Sequence, residues 1–280
     1  MTGLLESIER YYDAVPRRFA RVEECGPFTL FLGETGGWVY YARPRLGGTD
    51  RTGGTAEFDA VDVAAAAGRL RDLGLPEVVE WVDETTPGLR AAVQDEGSLT
   101  VEELPLMVLD GVGGDPSPPA PPLPPGVRVR LLGPADHAAV SAGRAVSELG
   151  FGSAGTTRGR HGTTERDARL RPPQQRVLDL IADGSVRMAV AESDDEGVLA
   201  VGRTLPIDGV TEVMGVATLP AARRGGLGTA VTRALTDDAR ALGVGTVFLT
   251  ASSPEVARIY SRVGFRQVAT AYAAEGRDRA

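Results

Sequence analysis

The sequence predicts an α/β (α+β) protein built in two halves, and three observations carry that reading. Residues 213–228, VMGVATLPAARRGGLG, run from an apolar strand pattern through a glycine-rich turn into a helix-forming stretch. Residues 186–220 hold three apolar runs separated by acidic and glycine turns, the signature of a strand meander. Between the halves, GVGGDPSPPAPPLPPGV at 111–127 is too proline-dense to pack as helix or central strand and forms an extended spacer. The expected division is therefore 1–112, a linker at 113–126, and 127–280.

The first half opens with an amphipathic helix, LLESIERYYDAV. FARVEE, FTLFLG and GWVYYARP follow as strands. FDAVDVAAAAGRLRDLG reads as a helix, PEVVEWVD as a strand, PGLRAAVQDEG as a helix begun by Pro87, and LTVEELPLMVLD as a strand. In the second half VRVRLL alternates as a strand from Val127, and PADHAAVSAGRAVSEL is helical with Asp136 near its start. Residues 150–170, polar and glycine-rich, predict a mobile loop, and PPQQRVLDLIADG a helix with prolines in its first turn. After the meander and the glycine turn come a long helix ending at Gly243, the strand TVFLTA, the helix SSPEVARIYSRVG capped by Ser253 with Pro254 first, and the strand FRQVATAYAAE.

Composition narrows the class. The 280 residues are 42% hydrophobic and 24% charged, as in a soluble globular protein. No apolar run reaches membrane-spanning length, and the acidic amphipathic N-terminus lacks a secretory apolar region. One cysteine, Cys25, rules out an internal disulfide framework, so a cytoplasmic setting is expected. His137 and His161 form no ligand pattern with it, and no metal is expected. The net charge of −8 sits in the first half, where residues 1–113 hold 10 Arg against 20 acids. That acidity disfavours nucleic acid and is compatible with cationic amine substrates.

The glycine turn carries the chemistry. The first N–H groups of a helix lack intrahelical partners and converge with the helix dipole on one spot that favours an anion. Gly225, Gly226 and Gly228 let backbone approach a phosphate, and Arg223 and Arg224 add charge. Neither G-x-x-x-x-G-K-[ST] nor G-x-G-x-x-G is present, the chain having no lysine at all. R-x-x-G-x-G is, as Arg223, Gly226 and Gly228.

With its preceding strand, that motif resembles the pyrophosphate loop of the GNAT superfamily of acyl-CoA-dependent N-acetyltransferases. Tyr260, Gly264 and Phe265, about thirty residues on, match a second block of the superfamily, and Glu212 a third. The resemblance covers 127–275. It implies a mixed, mostly antiparallel central sheet flanked by helices. The helix–strand–helix–strand tail of the first half repeats that of the second, so a tandem protein with a degenerate N-terminal GNAT-like domain is expected. The first half has no R-x-x-G-x-G; Arg45, Gly47 and Gly48 lead only into a longer loop.

The resemblance assigns roles. Glu212 is the expected base towards the amine, and burial near Val210 and Val213 would raise its pKa. Asp208, Glu148, His161 and Glu165 stand in reserve. Tyr260 is the expected acid towards the CoA thiolate. Val216, Ala217 and Thr218 would meet the pantetheine arm through backbone groups, where this strand splays at a bulge. Arg224, Gly225, Gly226, Leu227, Gly228 and Thr229 would hold the pyrophosphate through N–H groups, with Ser253 capping the next helix where many relatives carry Asn. The implied reaction moves an acetyl group from acetyl-CoA to a small-molecule amine or peptide N-terminus in a ternary complex. Thioester hydrolysis or decarboxylation on the same fold, and a non-catalytic CoA-binding module, are the alternatives.

Overall fold

Leu5, Ile8, Tyr11 and Val15 are buried at helical spacing, which lays α1 (Thr2–Ala14) on the core of the first compact unit. The computed structural model describes residues 2–33, 40–47, 57–109, 122–153 and 155–276, so most of the expected 113–126 linker lies outside the described residues. Two units are present. Unit 1 comprises 1–106, 250–254 and 267–280; unit 2 comprises 107–249 and 255–266.

Unit 1 continues from α1 through β1 (Ala20–Cys25), β2 (Phe28–Gly33), β3 (Tyr40–Pro44), α2 (Ala60–Asp72), β4 (Val78–Val82), α3 (Leu89–Glu96) and β5 (Leu99–Leu109), which runs three residues into unit 2. Phe28, Leu30, Val63, Leu70, Trp81, Leu89 and Val93 form its core. Beneath α1, the buried Arg43 guanidinium lies 3.3 Å from Glu9 and 3.4 Å from Glu80, with the ring of Tyr12 at 4.0 Å. One cation thus ties α1, β3 and β4.

Unit 2 holds β6 (Val127–Leu131), α4 (His137–Phe151), α5 (Thr163–Asp167), α6 (Gln175–Ala182), β7 (Arg187–Ser193), β8 (Gly197–Thr204), β9 (Val210–Thr218), α7 (Leu227–Ala241), β10 (Thr246–Thr250) and most of α8 (Pro254–Ser261). The last strand, β11 (Phe265–Gly276), pairs antiparallel with β4, Ala271 opposite Val82 and Glu275 opposite Val78. The strand order is β1-β2-β3-β4-β11-β5 in unit 1 and β10-β9-β8-β7-β6 in unit 2. The pairs β1–β2, β2–β3, β4–β11, β6–β7, β7–β8 and β8–β9 are antiparallel and β3–β4 and β9–β10 parallel, giving the mixed, mostly antiparallel sheet flanked by helices.

Successive residues of a strand face opposite ways, and β8 uses both faces. A Cβ on Gly143 of α4 would lie 3.1 Å from Val201, while one on Gly202 would lie 3.0 Å from Val231 and 3.1 Å from Leu235 of α7. Valine and glycine side by side thus seat one helix on each face.

Two expectations are corrected. Segment 150–170 is not loop throughout: it contains α5, where the buried Arg166 donates to the carbonyls of Glu196 (2.6 Å) and Val198 (2.7 Å). Pro172 and Pro173 precede α6 instead of entering its first turn. Gln174 is extended, and the helix starts at Gln175.

Candidate active site

The site is built on a parting of strands in unit 2. β9 and β10 run parallel, in register at Val210–Thr246, Thr211–Val247 and Glu212–Phe248. Beyond Glu212 no pair with β10 is in register among the described residues, although β9 continues to Thr218 against β8. Six further residues at about 3.3 Å each leave roughly 20 Å of open edge. At Gly215, φ +62°, the register against β8 slips by one residue, the bulge expected in this strand. Val216, Ala217 and Thr218 follow it. Because β9 and β10 are parallel, the turn after β9 and the helix after β10 sit at the same end of the strands, where α/β sheets open crevices.

At that end, a 3-10 turn (Pro220–Ala222) leads through Arg223 to Gly226, which at φ +74° is the N-cap of α7 and supplies no side-chain cap. No acidic residue occupies the first turn of α7. Its N-terminal N–H groups, those of Leu227, Gly228 and Thr229, meet neither a side-chain cap nor an opposing charge on their own turn. A Cβ on Gly228 would touch Val216 and Thr218, so the turn is held against the end of β9.

The two arginines part company. Arg224, with φ +69°, is exposed and makes no ion pair among the described residues. Arg223 points its guanidinium at backbone: Nη2 donates to the carbonyls of Gly150 and Ser153, both at 2.8 Å, and Nη1 to that of Thr157 at 3.4 Å. Arg224 thus stands exposed beside the turn, whereas the Arg223 guanidinium is bonded to backbone carbonyls.

Glu212 is half-buried at the vertex of the parting. Tyr260 is half-buried on α8, edge-on to Phe265 at 6.1 Å, and desolvation pushes its phenol up to about 12. It stays a donor at any physiological pH. Ser253 directly precedes α8 and groups with unit 1.

The reserve bases are engaged or displaced. Glu148 pairs with Arg144. The Glu165 carboxylate accepts from Gly162 N–H at 2.7 Å and is held below its usual range by that bond, which makes it a poor base. Asp208 is exposed at the β8–β9 turn with φ +48°. His161 Nδ1 lies 3.3 Å from Ser153 Oγ. Among the described residues no group of three or more His, Cys, Asp or Glu could hold a metal ion, and no helix is long and apolar enough to cross a membrane.

Sequence reasoning missed what lies across from the turn. Gly159 N–H donates to Pro220 O (3.0 Å), Ala221 N–H to His161 O (3.0 Å), and Arg158 Nε to Arg223 O (3.1 Å). Thr156 donates to Glu255 of α8 at 2.7 Å. No local pattern in residues 150–170 signalled these contacts, since their partners lie some sixty to a hundred residues on.

Residues 159–265 match the model of the Acetyltransferase (GNAT) family. Among solved structures, a GCN5-related N-acetyltransferase from Kribbella flavida is similar over 98% of this chain and 96% of its own, at 23% identity and a TM-score of 0.67. A putative acetyltransferase of the GNAT family from Novosphingobium aromaticivorans covers 99% and 97%, at 18% identity and 0.53. A tandem GNAT protein from the clavulanic acid biosynthesis pathway covers 90% and 79%, at 15% identity and 0.53. No curated protein matches.

Proposed function

From a chain that belongs to the GNAT superfamily, its family domain at 159–265, we propose an acyl-CoA-dependent N-acetyltransferase that uses acetyl-CoA and a primary amine. The observation that carries this reading is the parting of β9 and β10 at Glu212, with one open edge leading to an uncapped, glycine-built helix start. Pyrophosphate on the N–H groups of residues 224–229, with Arg224 beside it, would lay the thioester arm along Val216–Thr218.

The amine nitrogen attacks the thioester carbonyl and passes a proton to Glu212. The C–S bond breaks, and the departing thiolate takes a proton from Tyr260. Amide and free thiol result, and solvent returns the proton from Glu212 to Tyr260. No covalent acyl-enzyme is needed. The acceptor is a small amine or a peptide N-terminus, and the setting proposed is cytoplasmic.

Unit 1 is proposed to be a degenerate copy. Its α2–β4–α3–β5 order parallels α7–β10–α8–β11, and its parallel pair β3–β4 is in register at Ala42–Val79. At the start of α2, however, Asp59 accepts from the N–H groups of Val61 and Asp62, both at 2.9 Å, and Asp62 completes a capping box. Two carboxylates stand where α7 offers bare N–H groups.

Calorimetry with acetyl-CoA tests the proposal. Gly226→Asp sets a side chain and a negative charge at a left-handed position on the phosphate path, and binding should vanish. Unchanged affinity in this variant would sink the site. Binding without thiol release across a broad amine panel would favour a non-catalytic module, and thiol release without any amine would favour a thioesterase.

A further inference from the structure

We propose that Arg223, the first residue of the R-x-x-G-x-G motif, is a positioning residue for the amine side of the reaction rather than a ligand of the CoA phosphates. This rests on the proposed CoA site, since the turn it brackets is that site. Three backbone carbonyls, of Gly150, Ser153 and Thr157, receive the Arg223 guanidinium. Three of the five guanidinium N–H donors are thereby committed to the backbone of residues 150–157.

The carbonyls belong to the stretch that leaves α4 and runs along the glycine turn, and the fastening is reciprocal. Arg158 returns a bond to the Arg223 carbonyl, and the Gly159–Pro220 and His161–Ala221 backbone bonds lie to either side. The same stretch is fixed to the helix carrying Tyr260 through Thr156 and Glu255. Close packing leaves little slack beneath it: a Cβ on Gly150 would lie 2.9 Å from Ala217 of β9, and one on Gly159 2.9 Å from Pro220. Residues 155–162 thus form a strap between the turn and the helix of the proposed acid. His161 lies near its end, and Ser153 and Phe151, the latter 66% exposed, come just before it. Arg223 sets where those side chains stand relative to the thioester path, so its influence falls on the acceptor.

Three variants separate this from a phosphate role: Arg223→Gln, Arg223→Lys, and Gly226→Asp as the control for the turn. Acetyl-CoA affinity is read by calorimetry, and strap order by trypsin cleavage after Arg158 and Arg160, both exposed. Removing a charged donor from the three carbonyls it joins should speed cleavage about tenfold or more in Arg223→Gln. CoA affinity should stay within about threefold. Arg223→Lys keeps the charge without the fork, so it should leave cleavage fast. With any amine the wild type accepts, KM for that amine should rise while KM for acetyl-CoA holds. Loss of CoA binding in Arg223→Gln, with its recovery in Arg223→Lys, would overturn the proposal in favour of a phosphate contact. Wild-type cleavage rates in both variants, each melting as the wild type does, would overturn it as well. Should Gly226→Asp bind CoA normally, the CoA site itself is wrong, and that outcome reads independently of the strap.

Discussion

Glu212→Gln keeps the size of the side chain and removes its basicity. Turnover at neutral pH should fall about 10²–10⁴-fold, with CoA affinity unmoved and the defect shrinking at high pH as free amine accumulates. Steady-state rates across pH check this. Tyr260→Phe removes one hydroxyl, and kcat and kcat/KM should fall together, about 10–100-fold. The wild-type rate should show no alkaline limb from this phenol between pH 10, where an ordinary tyrosine ionises, and about 12. The same shift has a stability sign. The folded state holds its proton more tightly than the unfolded chain, so the contribution is complete below pH 10 and lost as pH rises towards 12. Melts of Tyr260→Phe in that window should lack the decline. At this scale the motif placed both arginines on the anion. Only tertiary contact tells Arg223 from Arg224, because the carbonyls that capture it come from a segment some seventy residues earlier.

Among the elements, the salt cluster under α1 carries the clearest test. Arg43→Met leaves Glu9 and Glu80 without their shared cation, and should cost about 3–5 kcal/mol of unit 1 stability, read by denaturant melts. A same-sized apolar replacement of all three would cost far less. Helices and strands were largely legible here because each keeps one period: 3.6 in α1, near-continuous apolar runs in β7 and β8, glycine and acidic turns between. Failures came where local signals compete. Pro172 and Pro173 fit a helix start by type, yet the extended Gln174 intervenes. Polarity suggested a loop throughout 150–170, although α5 forms there and its Arg166 reaches the carbonyls of Glu196 and Val198. The bulge at Gly215 and the end of β9–β10 pairing at Glu212 were expected only from the family resemblance, because which strands pair, and where they part, is not written in either strand's own pattern.

For the whole molecule, the two carboxylates capping α2 and the bare start of α7 predict one acetyl-CoA per chain. Calorimetric stoichiometry near two would refute this. A proline-rich boundary was visible at 113–126, yet 250–254 and 267–280 group with 1–106 and not with the rest of 127–280. The partner of the last strand was not visible, since alternation in FRQVATAYAAE says strand without saying beside which neighbour.

That strand has a consequence for biosynthesis. Between β4 and β5 of unit 1 lies β11, made after everything else described, so a nascent N-terminal half leaves the ribosome with a gap in its sheet. Two strand edges and the Trp81 face that Tyr272 stacks upon, ring centroids 5.1 Å apart, stay uncovered until translation reaches Gly276. Vectorial folding, first half first, is closed to this chain. Ribosome-stalled nascent chains should therefore stay protease-sensitive in residues 20–106 until the final strand has emerged from the exit tunnel.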